Sequence, residues 1–491
     1  MATSSRQRSE LPPTNPPANK KYNQGLFLFH RDLRIDDNTG LRELSRHCNK
    51  VHTCFIFTPE QVGPANKYKS DNSVQFMIES LEDLAADLEK RGGNLIVLYG
   101  ATFPTLKHVI DTLGIEVVGY NRDYSPYAMK RDLDIRTRCK AAGVECIESS
   151  DYYLYEPGEI GPGKWPAGTN APYYSSQKKP YQKYTPFYEN VLSRDVPPPV
   201  KMTRSRLVQS SHRFAGELNL KEAMRRFVAN PNTEILVRGG RENARAQFRK
   251  ALRVQEDYAE KRDEMTYETT FLSAYIKFGC LSIREVYHGI KRVYGPHSGL
   301  LRELIWREFF AHVLYGFPEV LSGSFTEKYR HIKWRDSHAE FDKWRKGRTG
   351  FPLVDACMRQ MNQTGYMHNR GRMVVATFLA KTLLLNWRLG EQYFARMLTD
   401  YDPASNNGNW QSIASTGVDG KPYYRDMNPW IQSAKFDKDA VFIKRWVPEL
   451  KDVRPQDIHR WDQKYAEYAG VYLAPMVDYA EQKEKMLALY K

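Results

Sequence analysis

Cysteine is scarce. Six occur in 491 residues, at positions 48, 54, 139, 146, 280 and 357. None stands in a C-x-x-C pair and no histidine cluster completes a zinc set, so neither a structural zinc site nor a dithiol redox motif is expected, and no metal ligand is assigned. Scattered thiols of this kind read as reduced and mostly buried in an intracellular protein. No run of 18 apolar residues occurs, which argues against a membrane-spanning helix and for a soluble chain. Residues 1–23 are rich in Ser, Pro, Arg and Lys and lack the apolar core of a signal peptide. They read as a disordered basic tail, with cytoplasm or nucleus left open. No G-x-G-x-x-G follows the first apolar strand, so the usual dinucleotide fingerprint is absent. No internal repeat is visible.

Acid is also in deficit. Lys and Arg total 73 against 58 Asp and Glu, a formal net charge of +15. Such an excess favours a polyanionic partner, because phosphate contacts by Lys and Arg drive association. Aromatic residues, in contrast, are plentiful: 31 Tyr, 22 Phe and 9 Trp, 13% of the chain. They suit the binding of flat rings or bases, although packing accounts for most of them.

The first part alternates short apolar strands with amphipathic helices. "GLFLFH" (25–30), "VHTCFIF" (51–57), "NLIVLYG" (94–100) and "IEVVGYN" (115–121) are the strands. Between them, 73–93 carries Phe76, Leu81, Leu84 and Leu88 on one helical stripe and stops at Gly92-Gly93. Strand and helix in series predict an α/β domain with a doubly wound parallel sheet over 24–155. Residues 156–215 are dense in Pro, Gly, Tyr and Lys and predict an extended linker. Residues 216–491 read as an all-α domain. Within it, "DYDPASNNGNW" (400–410) packs short polar side chains between two apolar helical stretches and reads as a loop.

Four segments, "FHRDLRIDDNTGL" (29–41), "ELIWREFF" (303–310), "GRTGFPLVDACMRQMNQTGYMHNRGRM" (347–373) and 400–410, resemble the photolyase/cryptochrome flavoproteins. The likeness covers nearly all of the chain beyond the tail. It is nearest to the photolyases of the class I/III type that repair cyclobutane pyrimidine dimers. The resemblance implies FAD inside the helical domain. Tyr258, Thr269, Thr270, Leu272 and Ser273 match its phosphate-binding segment, with Glu268 where relatives carry Gly. Arg307, Asn369, Arg372, Asp400, Asp402 and Asn406 match residues around the flavin: Asp400 pairing with Arg372, Asp402 accepting from the ring edge, Asn406 facing the reactive ring nitrogen. Trp410, Trp387 and Trp334 match an electron relay running from flavin to surface. Trp344 reads as packing.

By the same resemblance, Glu303, Trp306, Asn369 and Met373 line the pocket for a flipped lesion, and with Asn406 they form the catalytic set. Arg262, Arg307, Arg370 and Arg425 match positions facing DNA phosphates. Two departures stand out. Ser412 replaces a second lesion-stacking Trp two residues after Trp410, and Asn369 follows His368 where the 6-4 photoproduct branch carries a second histidine. The expected function is light-dependent repair of pyrimidine dimers in UV-damaged DNA by a monomeric carbon–carbon lyase. A signalling cryptochrome, a 6-4 photolyase and a cofactor-free nucleic-acid-binding protein are the alternatives. No long extension follows "WVPEL" (446–450), which disfavours the cryptochrome. A second, light-harvesting chromophore, folate or deazaflavin, is also implied, with "NRDYSPYAMKRD" (121–132) near its place.

Overall fold

A computed structural model describes residues 21–164, 178–203, 206–420, 422–425 and 427–491. Most of the predicted tail and part of the proline-rich stretch therefore lie outside the described residues. Five parallel strands open the chain: β1 (Tyr22–Phe29), β2 (Cys48–Phe57), β3 (Leu95–Tyr99), β4 (Val117–Asn121) and β5 (Glu145–Ser149). Their order in the sheet is β3-β2-β1-β4-β5. The chain thus moves outward on one side of β1, then returns to the other, which is the doubly wound pattern.

The alternation of the strands explains both faces. Phe27, Phe29, Phe55, Phe57 and Val97 point to one core with Leu41, Phe76 and Leu84. Leu26, Leu28, Cys54, Ile56 and Leu98 point to the other, with Leu106, Val109 and Ile135. Residues one apart fall on opposite sides of a pleated strand, so both faces become apolar when helices cover both. The first core does not stop at the sheet domain. It continues into Leu272, Ala274, Tyr275 and Leu304 of the helical part.

Three expectations change. β1 begins at Tyr22, inside the stretch read as tail. β5 was not foreseen, since "ECIES" has little apolar content. Segment 156–215, read as extended, contains the helix Tyr184–Leu192. Its buried Tyr184, Phe187 and Val191 recur every three to four residues, a stripe that flanking prolines obscure. After 216 the described residues form helices joined by short loops, with no further sheet. Five of the six cysteines are buried, and Cys146 is half-buried.

Candidate active site

Run 400–410 is mostly helix. Asp402 is its N-cap, accepting from Ser405 N at 3.0 Å, and Pro403 takes the first helical position of Pro403–Ile413. The asparagines bridge outward: Asn406 Nδ2 donates to the Glu391 carbonyl at 3.0 Å, and Asn407 Nδ2 to the Val320 carbonyl at 3.1 Å. Gly408 is required by packing. A Cβ there would stand 2.1 Å from the Phe310 ring, so only glycine lets this helix lie against Gly299–Gly316.

Beside this helix is a cavity of about 330 Å³. Four stretches of chain supply its walls. Tyr258, Thr270, Leu272 and Ser273 come from the first, Glu303 and Arg307 from Gly299–Gly316. Asn369, Arg372 and Met373 come from Asn369–Thr377, and Asp400, Asp402, Asn406 and Trp410 from the last. Thr269 stands just behind, its hydroxyl 3.0 Å from that of Tyr366.

The polar end is cross-linked. Asp400 Oδ2 accepts from Arg372 Nη2 at 2.9 Å and from Ser273 Oγ at 2.7 Å, while its buried Oδ1 has no protein partner. Asp402 Oδ2 lies 3.4 Å from Arg31 Nη1, a residue of the loop after β1. One of the two Asn406 Nδ2 hydrogens goes to the Glu391 carbonyl, which leaves the amide one donor and the acceptor Oδ1. Arg307 is in the wall rather than on a DNA-facing rim. Its side chain is 14% exposed, its guanidinium stands 4.3 Å over the Tyr153 ring, and its buried Nη2 has no partner. Lys277, which the sequence did not single out, shares the wall; burial and the Arg31 charge pull its ammonium down to about 8.

These groups fit FAD. Cationic Arg307, Arg372 and Lys277 with the hydroxyls of Thr270 and Ser273 suit a pyrophosphate. Leu272, Ile276, Leu304 and Met367 offer apolar surface to a flat ring, and the unpartnered Asp400 Oδ1 is an acceptor awaiting a donor.

Of the relay residues, Trp410 lines the cavity. Its ring neighbours are Phe394, 5.0 Å away edge-on, and Trp344, at 6.3 Å. Trp344 is fully buried in the core, and its indole donates to the Val375 carbonyl at 3.0 Å. Trp387 is buried three residues before Gly390, whose missing Cβ would strike Trp410 at 2.1 Å. Trp334 is half-buried and meets Tyr490 edge-on at 6.1 Å.

The remaining expected residues gather around the cavity. Glu303 is half-exposed and pairs with Arg262 at 2.7 Å; its surroundings push its carboxyl upward against that pull. Trp306 does not line this cavity; it follows Glu303 by three residues on the same helix. It stacks on Tyr184. Arg370 pairs with Asp263 and, with Arg425, borders an open groove of about 540 Å³ that shares Met373 and Ile413 with the cavity. His368 is structural: its Nδ1 accepts from Arg370 N at 3.1 Å as helix cap, and burial holds its imidazole down at about 4.

A second cavity, of about 500 Å³, opens where the strands end, between the sheet and the helices. Tyr124, Tyr127 and Arg131 of segment 121–132 line it. It shares Lys277, Tyr401 and Asp402 with the first. No helix among the described residues is long and apolar enough to cross a membrane.

Residues 25–203 match the family model described as DNA photolyase, and residues 300–491 that of the FAD binding domain of DNA photolyase. A deoxyribodipyrimidine photo-lyase of Halobacterium salinarum is 34% identical over 95% of this chain and 98% of its own. An archaeal photolyase from Sulfolobus tokodaii, solved with two FAD molecules, superposes with a TM-score of 0.82 at 36% identity, over 95% of this chain and 99% of that one. A class III photolyase from Agrobacterium tumefaciens gives 0.84 at 29% identity, over 97% and 99%.

Proposed function

The chain belongs to the DNA photolyase family, and on that premise we propose that it repairs cyclobutane pyrimidine dimers in UV-damaged DNA under blue light. Reduced FAD, held in the first cavity by Arg372, Asp400 and Ser273, would supply the light-driven one-electron chemistry this repair needs, with no net redox change.

Everything else falls to the protein. Asp400, locked by Arg372 and Ser273, fixes one edge of the site. Arg372 and Arg307 supply the charge that holds an anionic cofactor. Asn406 presents an amide that does not titrate, held in place by Glu391, so no acid stands at that position. Trp410, closed off from water, is placed to pass an electron inward. The lesion must leave the helix stack to reach such a site, and the handicap is smaller for a damaged base than for a paired one. Glu303, Asn369 and Met373 form the rim it enters, and Glu303 offers a carboxyl to the pyrimidine edge. Arg262, Arg370 and Arg425 lie outside them, where phosphates pass.

One observation carries this reading: Ser273, Arg372, Asp400, Asn406 and Trp410, drawn from three stretches of chain, converge on one cavity that adjoins a groove lined by Arg370 and Arg425. The second cavity is the place for a light-harvesting chromophore, its flat Tyr walls and sheet-end position suiting a ring system. Selective binding of a dimer-containing oligonucleotide, followed by its restoration in light and not in darkness, tests the proposal. Equal dimer content after light and dark incubation contradicts it.

A further inference from the structure

Trp306 is not a free plate. The Tyr184 ring lies flat on it, with centroids 3.5 Å apart and planes 4° from parallel. Phe309 meets the same indole edge-on at 5.6 Å, and Phe310 lies at 5.6 Å with planes 29° apart. Tyr184 itself is 4% exposed and tied three ways. Its hydroxyl donates to the Arg302 carbonyl at 3.0 Å, one turn before Trp306 on the same helix. Its backbone N–H donates to Asp419 Oδ2 at 3.4 Å. Its ring also stacks on Tyr188 at 5.7 Å. Asp419 lies in the loop that follows Pro403–Ile413, so the tie joins the helix of Trp306 to the helix of Asn406 and Trp410.

We infer that Tyr184 is the positioning residue of the lesion site: by closing one face of Trp306 it fixes the plane on which one ring of a flipped dimer stacks. The inference rests on the reading of Trp306 as a lesion wall. The physical reason is preorganisation. A half-exposed indole without a neighbour would rotate, and ordering it would cost affinity at each binding event. Tyr184 pre-orders it, and Ser412 offers no second ring to do so.

Fluorescence anisotropy in darkness, with flavin-loaded full-length protein, an oligonucleotide carrying one thymine dimer and its undamaged counterpart, tests this. Tyr184→Ala is expected to weaken dimer binding about tenfold and leave undamaged DNA unaffected. Tyr184→Phe, which keeps the ring, stays near wild type. Trp306→Ala weakens dimer binding, and the double variant Tyr184→Ala/Trp306→Ala is no weaker than Trp306→Ala alone. Tyr184→Leu stands in if the alanine variant does not retain flavin absorbance. Factors that multiply in the double variant, or equal losses on damaged and undamaged DNA, overturn the inference and leave Tyr184 a packing residue. An unchanged dimer affinity in Trp306→Ala overturns the premise instead.

Discussion

Arg31 Nη1 reaches Asp402 Oδ2 at 3.4 Å, joining the loop after the first strand to the cap of the helix that carries Asn406 and Trp410. The same guanidinium makes a bidentate pair with Asp123, at 2.9 and 2.7 Å, and stands 4.5 Å over the Tyr152 ring. Both partners of the Arg31–Asp402 pair are only 12–13% exposed. Arg31→Ala leaves two partly buried carboxylates without their cation. A loss of about 2 kcal/mol in unfolding free energy is expected, discounted from a fully buried pair. Asp402→Asn keeps the cap oxygen and loses less, whereas Asp402→Ala loses the cap as well, about 1 kcal/mol more. Denaturant unfolding of the three variants checks the order; equal stabilities would contradict it.

Glu391 predicts a pH dependence. It is 1% exposed, its Oε2 has no partner, and burial pushes its carboxyl from 4.5 up to about 7. The folded state therefore holds this proton more tightly than the unfolded chain. The group's contribution to stability is complete below about 4.5 and is lost as pH rises through about 7. Glu391→Gln keeps the shape and removes the titration. Relative to that variant, wild type should lose up to about 3 kcal/mol between pH 4.5 and 7. Melting curves of both proteins across that range decide it, and a constant difference would rule out a shifted Glu391.

Arg425 is exposed and has no carboxylate partner among the described residues, so its charge is available to a phosphate. Arg425→Ala should weaken damaged and undamaged DNA alike and lower the slope of log affinity against log salt by about 1. Arg370, already paired with Asp263, should change that slope less. An Arg425 variant with an unaltered slope would remove it from the DNA face.

Trp410 borders the cavity and touches Trp344, whose ring is in turn 6.0 Å from Tyr393. Trp410→Phe should slow light-driven reduction of the bound flavin by about tenfold or more while leaving its visible absorbance intact. Trp387→Phe and Trp344→Phe, compared side by side, show which neighbour feeds Trp410. Photoreduction at the wild-type rate in Trp410→Phe would remove the relay from the account.

The sheet was legible because its strands are apolar on both faces and bounded by turn residues. Strand β5 was not, since it is an edge with half-exposed side chains. Helix Tyr184–Leu192 was hidden by the prolines around it, and with it went the partner of Trp306. The cavity walls were readable only through resemblance: Ser273, Arg372 and Asp400 lie far apart in sequence, and nothing in their spacing says that they meet. Composition in 400–410 suggested a loop, because Asn and Gly disfavour helix in isolation. Tertiary contacts to Glu391, Val320 and Phe310 overrode that preference. Lys277 and Glu391 carried no signal at all; only burial beside a cavity marks them.

The most direct test of the central claim is chromatography of an oligonucleotide bearing a single thymine dimer, incubated with the flavin-reduced protein in blue light and in darkness. Two intact thymines are expected in the lit sample alone, with a slower yield in Glu303→Gln and flavin absorbance unchanged. A dimer that persists in light, with the flavin bound and reduced, would contradict it.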